Sequence, residues 1–138
     1  MPNVQELKNK RLLIIDDDVD LLMLLQRILQ KEGYIVETAA SLPEAEDILS
    51  FYTPKVVLLD ININGDDGRR LCWKLKNTYS KALIKVIIIS GYDYNTSRAV
   101  LFGADDCLPK PINLEYLLHQ IKNFSSDSKE NMIPFIPK

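Results

Sequence analysis

The sequence predicts a doubly wound α/β fold, a parallel sheet with helices on both of its faces. Two observations carry this prediction. Short apolar runs have the length and continuity of buried parallel strands, and between them lie longer segments with apolar residues at helical spacing. Four runs are clear and a fifth, which Pro109 ends, is weaker: 12–15, 34–36, 56–59, 86–89 and 106–108.

A helical segment follows each predicted strand. Gly33 and Gly103 fall where helix C-termini need a residue that tolerates the left-handed conformation. Ser41 and Glu44 have the spacing of a capping box at a helix start. The order is therefore strand and helix in strict alternation, with helices predicted around 21–29, 45–49, 71–79, 99–102 and 114–121.

Length and composition limit the protein to one ordinary folded domain. The chain has 138 residues, of which 46% are hydrophobic and 26% charged, and its net charge is −2. This charge gives no reason to expect nucleic-acid binding, and no apolar run approaches the length of a membrane span, so we expect a cytoplasmic protein. We divide it into an N-terminal extension (1–10), a domain (11–124) and a C-terminal tail or linker stub (125–138).

Acidic and basic side chains follow the predicted strands. In an open parallel sheet, ligands bind beyond the carboxyl ends of the strands, so these residues are candidates for a site. Clustered carboxylates repel one another unless they hold a cation, and their oxygens suit Mg²⁺. Alternatively, each Asp serves only as a turn or cap residue, which we expect for Asp18. The candidates are Asp16, Asp17, Asp60, Ser90 and Lys110.

In these residues the chain resembles the receiver (phosphoacceptor) domain of two-component response regulators. The resemblance spans about residues 11 to 124 and depends on four motifs in the family's order and spacing. They are Leu-Leu-Ile-Ile-Asp-Asp-Asp at 12–18, Val-Val-Leu-Leu-Asp at 56–60 followed by Asp-Gly at 67–68, Val-Ile-Ile-Ile-Ser-Gly at 86–91, and Gly-Ala-Asp-Asp-Cys-Leu-Pro-Lys-Pro at 103–111.

The resemblance implies a role for each candidate. Asp60 is the phosphoacceptor, and Asp16 and Asp17 form with it the acidic group that holds Mg²⁺. The backbone carbonyl of Asn62 completes the metal shell, Ser90 is the switch hydroxyl and Lys110 is the site lysine. The family fold is flavodoxin-like, with strand order 2-1-3-4-5. The peptide between Lys110 and Pro111 is expected to be cis.

The implied function is a signalling switch without turnover of an external substrate. The phosphoryl donor is a phosphohistidine on a sensor histidine kinase or a histidine phosphotransfer protein. Phosphorylation changes the conformation and the acyl phosphate then hydrolyses. We expect an unknown downstream protein as partner and leave open a phosphorylation-dependent homodimer; we expect this chain to contact neither nucleic acid nor a membrane.

The sequence departs from the family pattern near the site. Cys107 replaces the usual aromatic switch residue, so we expect a different repacking that involves Tyr92 or Tyr94. We also expect Tyr92 to shield the acyl phosphate from water. Ile63 and Asn64 replace the Met-Pro pair often found after the phosphoacceptor, which changes the stiffness of the loop.

Other functions fit the sequence less well. A pseudo-receiver, an interaction module that is not phosphorylated, would be expected to lack an acidic residue or the lysine. A flavin site would need a phosphate-binding loop where three aspartates stand, and an aspartyl phosphatase would need a second Asp where Asn62 stands. His119 is expected to be a packing or surface residue rather than a phosphodonor, and Cys72 and Trp73 are expected to pack.

Overall fold

The computed structural model describes residues 2–78, 84–91, 102–126 and 134–137. The strands are β1 Arg11–Ile15, β2 Ile35–Ala39, β3 Val56–Asp60, β4 Asn62–Ile63, β5 Asp66–Asp67, β6 Lys85–Ser90 and β7 Asp106–Pro109. Five of them form a parallel sheet with the order β2-β1-β3-β6-β7, while β4 and β5 form a separate antiparallel hairpin after the central strand β3. Because β6 and β7 are the fourth and fifth strands of the parallel sheet, this order confirms the predicted flavodoxin-like order 2-1-3-4-5.

The described helices are α1 Val4–Asn9, α2 Val19–Lys31, α3 Leu42–Leu49, α4 Arg69–Thr78 and α5 Leu114–Phe124, and they lie between the strands of the parallel sheet or at its ends in sequence. Asp18 caps α2 by accepting a hydrogen bond from the Leu21 backbone N–H at 3.1 Å, as predicted. Most of the predicted helix 99–102 lies outside the described residues.

Apolar residues pack on both faces of the sheet. Leu12 and Ile14 of β1 point into one cluster with residues of α2 and α5. Leu13 and Ile15 point into a second cluster with residues of α3 and α4. Because successive side chains of a strand alternate between faces, continuous apolar runs in β1, β3 and β6 are what a sheet covered on both faces requires. This arrangement confirms the predicted fold class.

The edge strand β2 starts and ends later than the predicted run 34–36. Ile35 and Glu37 are exposed, whereas Val36 between them and Ala39 at the end of the strand are buried. An edge strand needs less apolar coverage than a central one, so a search for continuous apolar runs finds only its beginning. At the start of α3, Ser41 accepts a hydrogen bond from the Glu44 N–H, but the Glu44 carboxylate accepts from the N–H of Ala40 instead of Ser41.

The structure has one helix that the sequence did not predict and corrects one expectation. The N-terminal extension contains the short helix α1, which Asn3 and Glu6 stabilise with a capping box although none of its residues is buried. Capping can support a helix that buries none of its residues. Trp73 does not pack in the core: it is 56% exposed, whereas its neighbour Cys72 is buried.

Candidate functional site

Strand pairing brings the acidic candidates together. β1 and β3 are parallel neighbours, with Ile15 opposite Leu59, so the next residues, Asp16 and Asp60, come side by side at the carboxyl edge of the sheet. One carboxylate oxygen from each of Asp16, Asp17 and Asp60 lies within 4.8 Å of the other two. The structure therefore groups all three carboxylates that the sequence singled out.

One lysine of the described part of the chain contacts this group. Lys110 Nζ lies 2.9 Å from an oxygen of Asp16 and 3.3 Å from an oxygen of Asp60. Asp16 and Asp60 are only 2% and 7% exposed, whereas Asp17 is exposed. One ammonium group does not neutralise three carboxylates, so the group keeps an excess of negative charge in a poorly solvated place.

The surroundings shift the pKa values of the central pair. Burial and the neighbouring Asp16 raise the pKa of Asp60, and this effect exceeds the opposing effects of Lys110 and of a hydrogen bond from the Asn62 backbone. Burial by itself would lower the pKa of Lys110, but its hydrogen bonds and the charges of Asp16 and Asp60 raise it. Lys110 is therefore a cation at neutral pH, and the charged form of Asp60 is disfavoured until more positive charge is present.

The donor set fits a hard divalent cation. Three carboxylates at one edge supply oxygen ligands without any nitrogen or sulfur ligand among the described neighbours, which is the preference of Mg²⁺. The exposed Asp17 leaves the group open to solvent on one side, as Mg²⁺ requires when it keeps part of its water shell. Asp16, Asp17 and Asp60 would be the side-chain ligands.

Strands β6 and β7 bring Ser90 and Lys110 to the same edge. Ser90 is the last residue of β6, lies opposite Pro109 and is 4% exposed. Its carbonyl accepts a hydrogen bond from the Lys110 backbone N–H at 2.7 Å. The peptide that joins Lys110 to Pro111 is cis, as the resemblance implied.

The loop after β3 makes contacts that the sequence analysis missed. The backbone N–H of Asn64 donates to Asp17 Oδ2 at 2.8 Å. Gly68 lies so close to β3 that an added Cβ would overlap the carbonyl oxygen of Asp60. The Asn-Gly pair at 64–65, a common hairpin turn, was a signal that could have revealed the turn. Neither its contact with Asp17 nor the close approach of Gly68 is visible without the tertiary structure.

Cys107 is half-buried and packs at the border of the core cluster on the α3–α4 side. The preceding Asp106 accepts hydrogen bonds from the Tyr116 hydroxyl at 2.7 Å and from the Gln120 amide at 2.8 Å, which tie β7 to α5. Burial and the hydrogen bond to Asp106 raise the pKa of Tyr116 to about 12, so this hydroxyl keeps its proton. The two other predicted switch candidates, Tyr92 and Tyr94, lie outside the described residues.

The remaining expectations concern α5 and the tail. His119 is half-buried, and the ring of Phe135 packs edge-on against it with 5.5 Å between centroids. Phe135 makes a similar contact with Tyr116 at 5.0 Å. Part of the tail therefore lies against α5. None of the helices in the described part of the chain has the length and apolar content of a membrane span.

Comparisons with known proteins show which family the chain belongs to. The family model described as the response regulator receiver domain matches residues 12–122. The chain is 36% identical over 115 residues to the transcriptional regulatory protein CpxR homolog of Haemophilus influenzae. That match covers 81% of this chain and 48% of the relative, so the chain spans about half the length of this curated relative.

Solved structures show the same likeness. A CheY-like response regulator receiver domain protein from Methanospirillum hungatei JF-1 is similar with a TM-score of 0.76 and 32% identity, covering 88% of this chain and 98% of the other. A response regulator protein from Burkholderia pseudomallei, solved with a phosphorylated aspartic acid, a calcium ion and citrate, is similar with a TM-score of 0.74 and 27% identity. This second match covers 91% of this chain and 77% of the other.

Proposed function

Because this chain belongs to the response regulator receiver domain family, whose model matches residues 12–122, we propose that it is a phosphorylation-activated signalling switch of a two-component system. One observation carries the proposal: the oxygens of Asp16, Asp17 and Asp60 lie within 4.8 Å of one another, and Lys110 contacts two of these residues. This arrangement has the nucleophile, the metal ligands and the cation that phosphoryl transfer to a carboxylate needs.

Asp60 is the phosphoacceptor. Its carboxylate oxygen attacks the phosphorus of a phosphohistidine on a sensor histidine kinase or a histidine phosphotransfer protein. The new O–P bond forms as the P–N bond breaks, and the released imidazole takes a proton from solvent. Mg²⁺, when bound, supplies positive charge to the phosphoryl oxygens. The three carboxylates and the backbone carbonyl of Asn62 would hold it.

Lys110 and Ser90 complete the site. The ammonium group of Lys110, held between Asp16 and Asp60, binds a phosphoryl oxygen once the acceptor is modified. Water later attacks the phosphorus, breaks the O–P bond and returns the Asp60 carboxylate with inorganic phosphate. The domain thus promotes its own phosphorylation and dephosphorylation and converts no external substrate.

The output is a change of conformation around the site. The Ser90 hydroxyl is drawn toward the phosphoryl group, and the half-buried Cys107 repacks in place of the usual aromatic residue. Tyr92 or Tyr94 takes part in this repacking, and Tyr92 shields the acyl phosphate from water. If Tyr92→Ala leaves the dephosphorylation half-life unchanged, the shielding role is wrong.

The partners follow from the same chemistry. The Burkholderia relative was solved with a phosphorylated aspartic acid and a calcium ion, which supports an acyl phosphate beside a divalent cation here. We propose a cytoplasmic location, a sensor kinase or phosphotransfer protein upstream and a downstream protein partner, with a phosphorylation-dependent homodimer as one form of output. This chain itself would contact neither nucleic acid nor a membrane.

Intact-mass measurement tests the proposal. The protein is incubated with Mg²⁺ and acetyl phosphate, and we expect one added phosphoryl group. Asp60→Asn should remove the adduct, and omission of Mg²⁺ should suppress it. Asp66→Asn changes an exposed carboxylate of the same loop and is the matched control that should keep the adduct.

The same experiment discriminates the alternative. A pseudo-receiver would show no adduct in the wild-type protein under any of these conditions. An adduct that persists in Asp60→Asn would place the acceptor elsewhere and would contradict the assignment of Asp60.

A further inference from the structure

The turn that joins β4 and β5 lies over the acidic edge of the sheet. Ile63 pairs with Asp66, so the turn consists of the two residues Asn64 and Gly65. Both have positive φ angles, 55° and 84°, as the favoured two-residue hairpin turns require. The turn conformation therefore selects Gly, Asn or Asp at position 64 over other residue types.

Asn64 uses both of its donor groups at this edge. Its backbone N–H donates to Asp17 Oδ2 at 2.8 Å, and its side-chain amide donates to the carbonyl of Ala40 at 3.1 Å. Ala40 follows β2 and Asp17 follows β1, so one residue connects the turn to the ends of two strands. The Gly65 N–H donates to the side chain of Asn62 at 3.2 Å and closes the turn.

The residues on both sides of the turn are held in place by the rest of the fold. Ile63 is fully buried in the core cluster on the α3–α4 side. Gly68, at the other end of the hairpin, donates its N–H to the Ile61 carbonyl and has no room for a side chain against Asp60. Because the hairpin is held on both sides, the position of the Asn64 N–H is set by the fold.

We propose that Asn64 is a positioning residue for the metal site: its backbone N–H holds one oxygen of Asp17, and its side-chain amide holds the turn that presents this N–H. The inference rests on the proposed function only in its assignment of Asp17 as a metal ligand. In this chain the exposed Asp17 has the Asn64 N–H as its partner, whereas Asp16 and Asp60 are held by burial and by Lys110. Ligating carboxylates are commonly oriented by hydrogen bonds of this kind.

Position 64 requires a backbone N–H for Asp17, a positive φ angle and a side-chain donor for the Ala40 carbonyl, and asparagine meets all three requirements. Proline has no N–H and cannot adopt a positive φ, so it would remove the contact with Asp17. Glycine has the N–H and the conformation but lacks the amide that reaches Ala40. Aspartate tolerates the conformation, but its carboxylate has no donor for the Ala40 carbonyl.

Proton NMR of the wild-type protein and of Asp17→Ala, both without metal, tests the contact itself. Loss of the acceptor should move the Asn64 amide proton upfield and speed its exchange with solvent. The matched control is the Leu21 amide, which donates to the neighbouring Asp18 at 3.1 Å and should not change. An Asn64 amide that is unaffected by Asp17→Ala would overturn the inference.

Direct Mg²⁺ titration by calorimetry tests the consequence. Asn64→Pro should weaken Mg²⁺ binding about tenfold, in the range seen when a partner of a metal ligand is removed. Asn64→Gly, which keeps the N–H, should give an intermediate loss. Asn77→Gly is the control, because Asn77 also donates its amide to a backbone carbonyl, that of Trp73 at 2.7 Å, but on the exposed side of α4.

The outcomes separate this inference from the proposed function. Wild-type Mg²⁺ affinity in a folded Asn64→Pro would overturn the inference even if Asp60 is phosphorylated. Asn64-dependent Mg²⁺ binding without any phosphoryl adduct would contradict only the proposed function. If Asn64→Pro does not fold, the NMR comparison with Asp17→Ala decides.

Discussion

The two edges of the sheet carry carboxylates and lysines in opposite proportions. At the amino edge, Asp105 accepts hydrogen bonds from Lys76 Nζ and from the Val86 backbone N–H, each at 2.8 Å, and Lys85 Nζ lies 3.8 Å away. Two cations and one backbone donor thus surround one carboxylate. The described protein groups at this edge already satisfy the charge.

At the carboxyl edge the proportion is reversed. Three carboxylates lie together there, and Lys110 contacts two of them, Asp16 and Asp60, which are more deeply buried than Asp105. A buried charge is stable only when it is paired, and among the described side chains fewer cations accompany the carboxylates here than at the amino edge. A carboxylate–lysine contact alone therefore does not mark a site, since Asp105 has one as well. The carboxyl edge differs in its excess of carboxylates over described cations, which favours the binding of a further cation.

The largest expected effect is the response to Mg²⁺. At a concentration one hundred times its dissociation constant, Mg²⁺ should raise the free energy of unfolding by about 2.7 kcal/mol, because it binds only the folded state. Chemical denaturation with and without Mg²⁺ measures this. Asp17→Asn should lose most of the response and Asp105→Asn should keep it; equal responses in the two variants would contradict the comparison.

The next effect concerns the amino edge. Asp105→Ala removes one acceptor of Lys76 and the carboxylate that accepts from the buried N–H of Val86. We therefore expect a loss of about 2 kcal/mol in the free energy of unfolding. The loss should be the same with and without Mg²⁺. A variant as stable as the wild type would show that the Asp105 contacts are not structural.

At the carboxyl edge, removal of a carboxylate should raise the free energy of unfolding instead of lowering it. Asp60→Asn removes a carboxylate whose pKa is raised by burial and by Asp16, so in the absence of metal at pH 7 it should increase the free energy of unfolding by on the order of 1 kcal/mol. The folded state keeps the Asp60 proton at pH values where the unfolded state has released it. The destabilising contribution of Asp60 is therefore absent below the ordinary value of 3.8 and develops as the pH rises through the raised pKa.

Chemical denaturation of the wild-type protein and of Asp60→Asn at several pH values measures how the difference in their free energies of unfolding depends on pH. The advantage of Asp60→Asn should be present at pH 7 and should shrink as the pH falls toward 4. An advantage that is constant with pH would mean that it does not come from the Asp60 charge.

The smallest effect is expected for Lys85→Ala. Lys85 lies 3.8 Å from Asp105 and is partly exposed, and Lys76 already pairs with the same carboxylate, so we expect a loss of about 0.5 kcal/mol or less. Lys76→Ala, measured by the same denaturation experiment, should cost more. If the two variants are equally destabilised, Lys85 contributes as much as Lys76, contrary to what their distances from Asp105 indicate.

Much of the fold could be predicted because burial on both faces makes the central strands continuous apolar runs. β1, β3 and β6 are such runs, and Asp18 and Gly33 confirmed two predicted helix boundaries. The edge strand β2 was predicted only at its beginning and the helix α1 was not predicted, because their patterns depend on exposure and capping rather than on burial. Trp73 was expected to pack because it falls in a predicted helix, but at its place on α4 the side chain is 56% exposed.

The chemical groups at the strand ends can be predicted from the sequence, since Asp16 and Asp17 follow one apolar run and Asp60 follows another. How these groups are partnered depends on the fold. The contacts of Asn64 with Asp17 and of Lys110 with Asp16 join residues 47 and 94 positions apart. Such contacts leave no local pattern, because they arise when separate strands pair and bring their ends to one edge.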